Sequence, residues 1–303
     1  MLARGLRLAN LLVFAATALL AWTLHRGGHD WPAAIALALL LPLSLQGLPL
    51  ALEFATGALI DRRTGVRLGP LAAVRLWAGE TTHSLRLFNL DQVWCAGFPE
   101  PAVVRDPARP AVLLVHGYMC NRAVWRGWLP RLSSTANVAT LNLEPVFGPI
   151  EGYAGRIAQA VERLREASGA PQVTIVAHSM GGLATRAYLR SHGTSAVCRV
   201  ITVATPHYGT VFARLGLGCN ARQMRPDSDF LRALNAAPEP VPFVCVAASD
   251  DNLIVPRASP LLPGWPSIRI ERVGHLAMLN DARVLEAVME AVSHPAERAL
   301  RAG

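Results

Sequence analysis

The stretch around Ser179 combines the residue types that covalent catalysis needs. Ser179 stands within Ala177-His178-Ser179-Met180-Gly181, directly after an apolar run that begins at Val173. A helical pattern follows, so the serine would occupy a sharp turn from a strand into a helix, with small residues two positions before and after it. Such a turn exposes the hydroxyl above the sheet, and the start of the helix directs backbone N–H groups at the reaction centre. The pattern predicts Ser179 as a nucleophile; the alternative is an ordinary strand-to-helix turn.

Four motifs in a fixed order carry a resemblance to a known superfamily. They are Val115-His116-Gly117-Tyr118, Ala177-His178-Ser179-Met180-Gly181-Gly182, Ala204-Thr205-Pro206-His207-Tyr208-Gly209-Thr210 and Gly274-His275. With them, the chain from Ala111 to its C-terminal helix resembles the α/β-hydrolase superfamily, and more closely its bacterial lipase and esterase branch. The resemblance implies a mostly parallel sheet with helices on both faces, and catalytic residues in the order Ser, Asp or Glu, His.

The resemblance also implies the other site residues. His275, in the loop after the last predicted strand, is the expected base. Asp251 is the expected acid that orients it, and the adjacent Asp250 stays open as the alternative. The oxyanion hole needs two preorganised donors, and we expect them to be the backbone N–H groups of Met180 and Tyr118. No metal and no organic cofactor is expected.

Alternating apolar runs and helical stretches predict the elements that position these residues. Runs rich in Val, Ile and Leu without polar alternation are typical of strands buried on both faces of a sheet. The predicted strands are Ala111–Val115, Val138–Leu141, Val173–Ala177, Val200–Val203, Val241–Ala247 and Ile268–Arg272. The predicted helices are Tyr153–Ser168, Met180–Ser191, Ser228–Leu234 and Ala282–Val292. Residues 65–90 are interpreted as a linker and entry strands. The resemblance implies that His207–Pro240 lies where related lipases keep a cap, and its apolar residues would line an acyl pocket or belong to the core.

Two apolar stretches precede this domain. Leu8–Leu24 and the stretch from Trp31 to about Leu52 are each close to the roughly 20 apolar residues that cross a bilayer core, and the polar insert His25–Asp30 separates them. We therefore predict two domains: a transmembrane helical hairpin in residues 1–64 and a catalytic domain in residues 65–303. A cleaved signal peptide is one alternative, and a kinked or interfacial second stretch is another.

Arginines beside the apolar stretches indicate an orientation. Arg4 and Arg7 precede the first stretch, whereas the insert carries only Arg26, opposed by Asp30. Four more follow the second stretch: Arg62, Arg63, Arg67 and Arg75. Because positive residues stay on the cytoplasmic side, we expect both ends and the catalytic domain on the cytoplasmic side of a bacterial inner membrane.

Composition excludes several other classes of protein. The chain of 303 residues carries a net charge of +8, and all its basic residues other than His are arginine. These arginines are scattered without an aromatic-interleaved stripe, which argues against a nucleic-acid partner. The five cysteines include no CxxC pair, so a zinc site is not expected.

Taken together, the motifs and the apolar hairpin predict a membrane-anchored serine hydrolase that cleaves carboxylic esters. The membrane would favour lipidic or other acyl-ester substrates. Two alternatives stay open, because a fold does not fix a reaction. One is a thioesterase, amidase or lipid acyltransferase with the same triad, and the other is a non-catalytic membrane scaffold.

Overall fold

The core of the molecule is a parallel β-sheet of six strands within residues 1–60 and 69–293, which are the residues that the computed structural model describes. The strands are β1 (Ala111–Val115), β2 (Asn137–Thr140), β3 (Val173–His178), β4 (Val197–Val203), β5 (Phe243–Ala248) and β6 (Ser267–Ile270). Their order across the sheet is β2-β1-β3-β4-β5-β6, and every neighbouring pair is parallel. All six predicted strands are therefore found: the bounds of β1 agree, and those of the other strands are shifted by up to three residues.

Both faces of the sheet are covered, which explains why the central strands are apolar throughout. Every residue of β1, β3 and β5 is buried. Successive side chains of a strand point to opposite faces, so Leu113 packs into one apolar cluster and Leu114 into the other. The predicted architecture, a parallel sheet with helices on both faces, is confirmed.

Four helices of eight or more residues precede the sheet in the described part of the chain. They are α1 (Leu2–Arg26), α2 (Trp31–Ala38), α3 (Leu40–Ile60) and α4 (Pro70–Arg86). The helical segments Leu2–Arg26 and Trp31–Ile60 are long and apolar enough to cross a membrane by length and composition. Asp30 accepts the backbone N–H of Ala33 and so caps the start of α2.

The prediction of a linker with strands in residues 65–90 is wrong for the part that the structure describes. Instead, α4 runs on into a π-helical turn, Leu87–Asp91, and the short helix α5, Gln92–Trp94. The face of α4 that is buried carries Leu76, Glu80 and Ser84, which are spaced four residues apart. Two of these three side chains are polar, so no apolar periodicity marks the helix in the sequence. The predicted boundary at residues 64/65 and the flanking Arg62, Arg63 and Arg67 lie outside the described residues.

The remaining helices surround the sheet. They are α6 (Leu129–Thr135), α7 (Ala154–Ser168), α8 (Met180–His192), α9 (Gly218–Gln223), α10 (Asp229–Asn235) and α11 (Ala282–Ser293). The four helices predicted from the sequence correspond to α7, α8, α10 and α11. Apolar residues of α7 and α8 pack into the cluster on one face, and those of α6 and α11 into the cluster on the other.

Candidate active site

Ser179 occupies a sharp turn between β3 and α8. Its backbone has φ 53° and ψ −129°, a left-handed conformation that is unusual for a residue other than glycine. The backbone N–H of Ser179 donates to the carbonyl oxygen of Val203 at 2.8 Å, and its carbonyl accepts the N–H of Gly182 at 3.0 Å. Such strain persists only where the surrounding structure holds it in place, and it is concentrated at functional sites.

Close approaches of the backbone explain why glycines surround the serine. A Cβ at Gly181 would lie 2.5 Å from the carbonyl oxygen of Val115, and a Cβ at Gly182 would collide with the side chain of Thr205. On the other side, a Cβ at Gly117 would lie 2.8 Å from the Cβ of Ser179. The loop after β1, which carries the predicted oxyanion donor, is therefore pressed directly against the serine.

A buried imidazole–carboxylate pair lies at the same edge of the sheet. Nδ1 of His275 is 3.0 Å from Oδ2 of Asp251, and both side chains are buried. The other oxygen of Asp251 accepts the backbone N–H groups of Leu253 and Ile254 at 2.8 and 2.7 Å. Both oxygens are thus held by hydrogen bonds, which fix the orientation of the carboxylate towards Nδ1 of His275.

The two adjacent aspartates have different partners. Asp250 directs Oδ2 to the backbone N–H of Arg272 at 2.8 Å and so holds the turn that precedes His275. The carboxylate that faces the imidazole is therefore that of Asp251.

The surroundings of His275 control its charge. Burial lowers the pKa of this imidazole, but the carboxylates of Asp251, Glu80 and Glu53 together outweigh it, so that the pKa is raised above 6.5. Negative charges around the ring favour the imidazolium, which is the form that a base acquires when it takes a proton.

The residue before Ser179, His178, contacts His275. The rings of His178 and His275 are 4.8 Å apart between centroids, and Nε2 of His178 is 3.3 Å from the carbonyl oxygen of His275. Within the described part of the chain, no direct hydrogen bond joins the serine hydroxyl to His275. Such bonds are often long without substrate and shorten in the complex.

The other two histidines near the serine have structural environments. Nε2 of His116 accepts the backbone N–H of Leu143 at 3.0 Å, and burial lowers the pKa of this ring to about 4. Burial likewise lowers the pKa of His178 well below its usual value, and its ring lies edge-on to Trp125 at 6.5 Å. Burial thus disfavours the protonated form of both rings, which is the form that a base reaches when it takes a proton, and their contacts fit a supporting role in the loops.

Met180 and Tyr118, the predicted oxyanion donors, begin α8 and follow Gly117, respectively. Met180 is buried directly after the serine. The hydroxyl of Tyr118 donates to the carbonyl oxygen of Leu217 and accepts its N–H, both at 2.8 Å. This double contact fastens the loop after β1 to the segment that precedes α9.

Metal ligands do not cluster in the described residues. No group of three or more His, Cys, Asp and Glu side chains there is arranged to hold a metal ion. Ser179, His275 and Asp251 follow strands that end at this edge of the sheet, and a hydroxyl, an imidazole and a carboxylate are the groups used in nucleophilic acyl transfer.

Comparison with known proteins agrees with this fold. Residues 110–218 match the family described as the α/β-hydrolase fold. The chain has the α/β-hydrolase fold. Among solved structures, the chain is similar to Aspergillus fumigatus lipase B, with 19% identity and a TM-score of 0.56, over 65% of this chain and 56% of the fungal one. It is also similar to mature Bacillus licheniformis lipase BlEst2, with 16% identity and a TM-score of 0.55, over 64% and 96% of the two chains.

The segment predicted as a cap in this α/β-hydrolase has two parts. Met224 and Leu231 are buried in the main apolar cluster and are ordinary core. Leu215 and Leu217, in contrast, are 79% and 66% exposed beside Tyr118. The second part offers an apolar surface beside the loop after β1.

Sequence reasoning missed three polar residues that surround His275. They are Glu53 on α3, Glu80 on α4 and Asn252 next to Asp251. The two glutamates precede His275 by about two hundred positions and belong to no motif. The sequence offers one signal: Glu53 is a charged residue that stands directly after a long apolar run.

Proposed function

We propose that this α/β-hydrolase is a serine hydrolase that cleaves carboxylic esters, with Ser179, His275 and Asp251 as its catalytic triad. The observation that carries the proposal is the buried pair between His275 Nδ1 and Asp251 Oδ2, at 3.0 Å, beside the strained turn of Ser179. A carboxylate at Nδ1 selects the tautomer whose Nε2 is free to accept a proton. The lipases with similar folds favour an ester as the substrate class.

The reaction follows from these positions. Nε2 of His275 takes the hydroxyl proton of Ser179 while the serine oxygen bonds to the ester carbonyl carbon. The resulting oxyanion accepts hydrogen bonds from the backbone N–H groups of Met180 and Tyr118, each typically worth about 3 kcal/mol in the transition state. His275 then gives the proton to the leaving alcohol, and the alcohol departs. Water repeats the sequence on the acyl-enzyme, which releases the carboxylic acid and restores the serine.

The N-terminal helices support attachment to a membrane. Leu11, Phe14 and Leu19 on α1 are 64%, 73% and 60% exposed, and Leu48 and Leu52 on α3 are 66% and 64% exposed. Large apolar side chains exposed over two long helices are unusual in a protein surrounded by water. A bilayer would cover them, and it would place the active site where lipidic esters are abundant.

Activity on soluble esters tests the proposed chemistry. We expect the full chain in detergent to hydrolyse p-nitrophenyl esters, with kcat/KM falling tenfold per pH unit on the acidic side. The midpoint of that fall should lie above pH 6.5, because the pKa of His275 is raised and only the neutral imidazole accepts the serine proton. A flat profile down to pH 5, or no turnover by folded protein on esters of short and long acyl chains, would contradict the proposal.

Reporter fusions test the orientation. With the catalytic domain on the cytoplasmic side of the inner membrane, a fluorescent protein at the C-terminus should fluoresce, and alkaline phosphatase at the same place should be inactive. Phosphatase activity there, without fluorescence from the matched fusion, would place the domain on the opposite side. A phosphatase inserted after Gly27, between the two apolar helices, serves as the positive control.

A further inference from the structure

Three successive backbone amides beginning at His275 are held by side chains from elsewhere in the fold. The N–H of His275 donates to Oδ1 of Asn252 at 3.0 Å. The next two amides, those of Leu276 and Ala277, donate to the two carboxylate oxygens of Glu80 at 2.7 and 3.0 Å. Because three consecutive peptide units are fixed, the loop that carries the imidazole has little freedom to rotate.

Glu80 is placed where only a carboxylate satisfies both amides. It projects from α4 and is completely buried. Burial raises the pKa of Glu80, and the hydrogen bonds from Leu276 and Ala277 oppose that effect. A glutamine of the same size has one acceptor oxygen and would turn its NH₂ group towards the second amide. The site is therefore built around two acceptor oxygens.

Gly274 shows how tightly this carboxylate is fitted. A Cβ at position 274 would overlap Oε2 of Glu80 and would lie 3.1 Å from Oδ1 of Asn252. Any side chain there would displace both acceptors from the amides that they hold. The contact with α4 thus explains why a glycine directly precedes His275.

A second contact joins the neighbouring loop, which carries Asp251 and Asn252, to α3. Nδ2 of Asn252 donates to Oε2 of Glu53 at 2.6 Å, so the amide that accepts the N–H of His275 is itself oriented by the N-terminal helices. One turn further along α3, a Cβ at Gly57 would be 3.3 Å from Cγ2 of Val255. The backbone of α3 therefore lies directly against the loop that carries Asp251.

We propose that Glu80 is a positioning residue for His275, so that α4, together with α3, completes the active site in addition to anchoring it. The inference rests on the proposed function, because it assumes that His275 is the base. Its physical basis is that a misplacement of about 1 Å in a catalytic group lowers the rate by about 100-fold. The charged and titratable groups that face the ring are Asp251, Glu80, Glu53 and His178. Of these, Glu80 accepts two backbone N–H groups of the loop, whereas His178 faces the carbonyl oxygen of His275 at 3.3 Å.

Substitution Glu80→Gln tests the inference with the smallest change of shape. We expect kcat for a soluble p-nitrophenyl ester to fall by about 10- to 100-fold, with KM changed less than about threefold. The acidic limb of the kcat/KM profile should move to lower pH, because a carboxylate that raises the pKa of His275 has been removed. Gly274→Ala, which disturbs the same carboxylate from the other side, should reproduce the loss of kcat and serves if Glu80→Gln does not fold.

The matched control is Glu286→Gln on α11, whose carboxylate is 61% exposed and pairs with the exposed Arg131; it should retain wild-type kcat and pH profile. Folding of each variant is checked by circular dichroism and thermal denaturation. If Glu80→Gln and Gly274→Ala lose thermal stability but keep kcat and the pH profile, Glu80 is merely structural and the inference is overturned. Equal labelling of wild type and Ser179→Ala by a fluorophosphonate probe, which reacts with activated serines, would instead overturn the proposed function, and the inference with it.

Discussion

Replacing Ser179 with alanine is expected to lower ester hydrolysis by about 10⁴-fold or more and to abolish labelling by a fluorophosphonate probe. The probe forms a bond only to an activated nucleophile, and in the proposed mechanism His275 supplies that activation. Alanine removes one oxygen atom from a buried turn whose backbone is held by Val203 and Gly182, so the fold should be retained. The measurements are turnover of a p-nitrophenyl ester and in-gel fluorescence after probe treatment of the full chain.

Ser191 provides the control for this substitution. It lies on the same helix, α8, and its hydroxyl donates to the carbonyl oxygen of Ala187 at 2.9 Å. Ser191→Ala should therefore hydrolyse esters and take the probe as the wild type does. Undiminished labelling of Ser179→Ala would show that another residue is the nucleophile.

Replacing Asp251 with asparagine should lower kcat by about 10⁴-fold, the second largest effect that we expect. The carboxylate that faces Nδ1 of His275 at 3.0 Å becomes an amide, which can turn its NH₂ group to the ring and so favour the wrong tautomer. The amide oxygen can still accept the N–H groups of Leu253 and Ile254, so the loop should hold. The decrease is measured as kcat at a pH well above the acidic limb, with the midpoint of thermal denaturation recorded alongside.

Asp250→Asn is the matched control, since it makes the same chemical change one residue earlier. Asp250 accepts the backbone N–H of Arg272, and an amide oxygen can do the same, so kcat should stay within a few-fold of wild type. The opposite ranking of the two variants would move the role of the acid to Asp250.

The sheet was predictable because its central strands are buried on both faces and therefore carry unbroken apolar runs. The predicted bounds of β1 agree with the structure, whereas β4 begins three residues earlier than predicted. The prediction began too late because Cys198 and Arg199 interrupt the apolar run. In the structure Arg199 is buried, and its guanidinium donates to the carbonyl oxygen of Ala291. Backbone pairing with β3 therefore extends the strand through residues whose side chains gave no sign of it in the sequence.

The candidate site was predictable only as far as its motifs extend. A strained turn needs small neighbours, so the sequence around Ser179 contains the information for that turn. The choice between Asp250 and Asp251 depends on which carboxylate faces a ring 24 residues away, and adjacent identical residues carry no such information. Glu80 lies 196 positions from the first amide that it holds, and a long-range contact between one polar side chain and backbone leaves no periodic pattern.

The direct contact between α3 and the loop of Asp251 has a consequence for the kinetics of a membrane-anchored enzyme. Glu53 lies seven residues before the end of α3 at Ile60, which is about 10 Å at 1.5 Å per residue. Because Glu53 contacts the active-site loops and is rigidly joined to the rest of α3, the active site cannot move into bulk solution independently of the apolar helices. For an enzyme attached to a membrane as proposed, encounters with a lipidic ester are then two-dimensional, and the rate depends on the mole fraction of that ester in the surface. Adding inert lipid would slow the enzyme even though the amount of ester is unchanged.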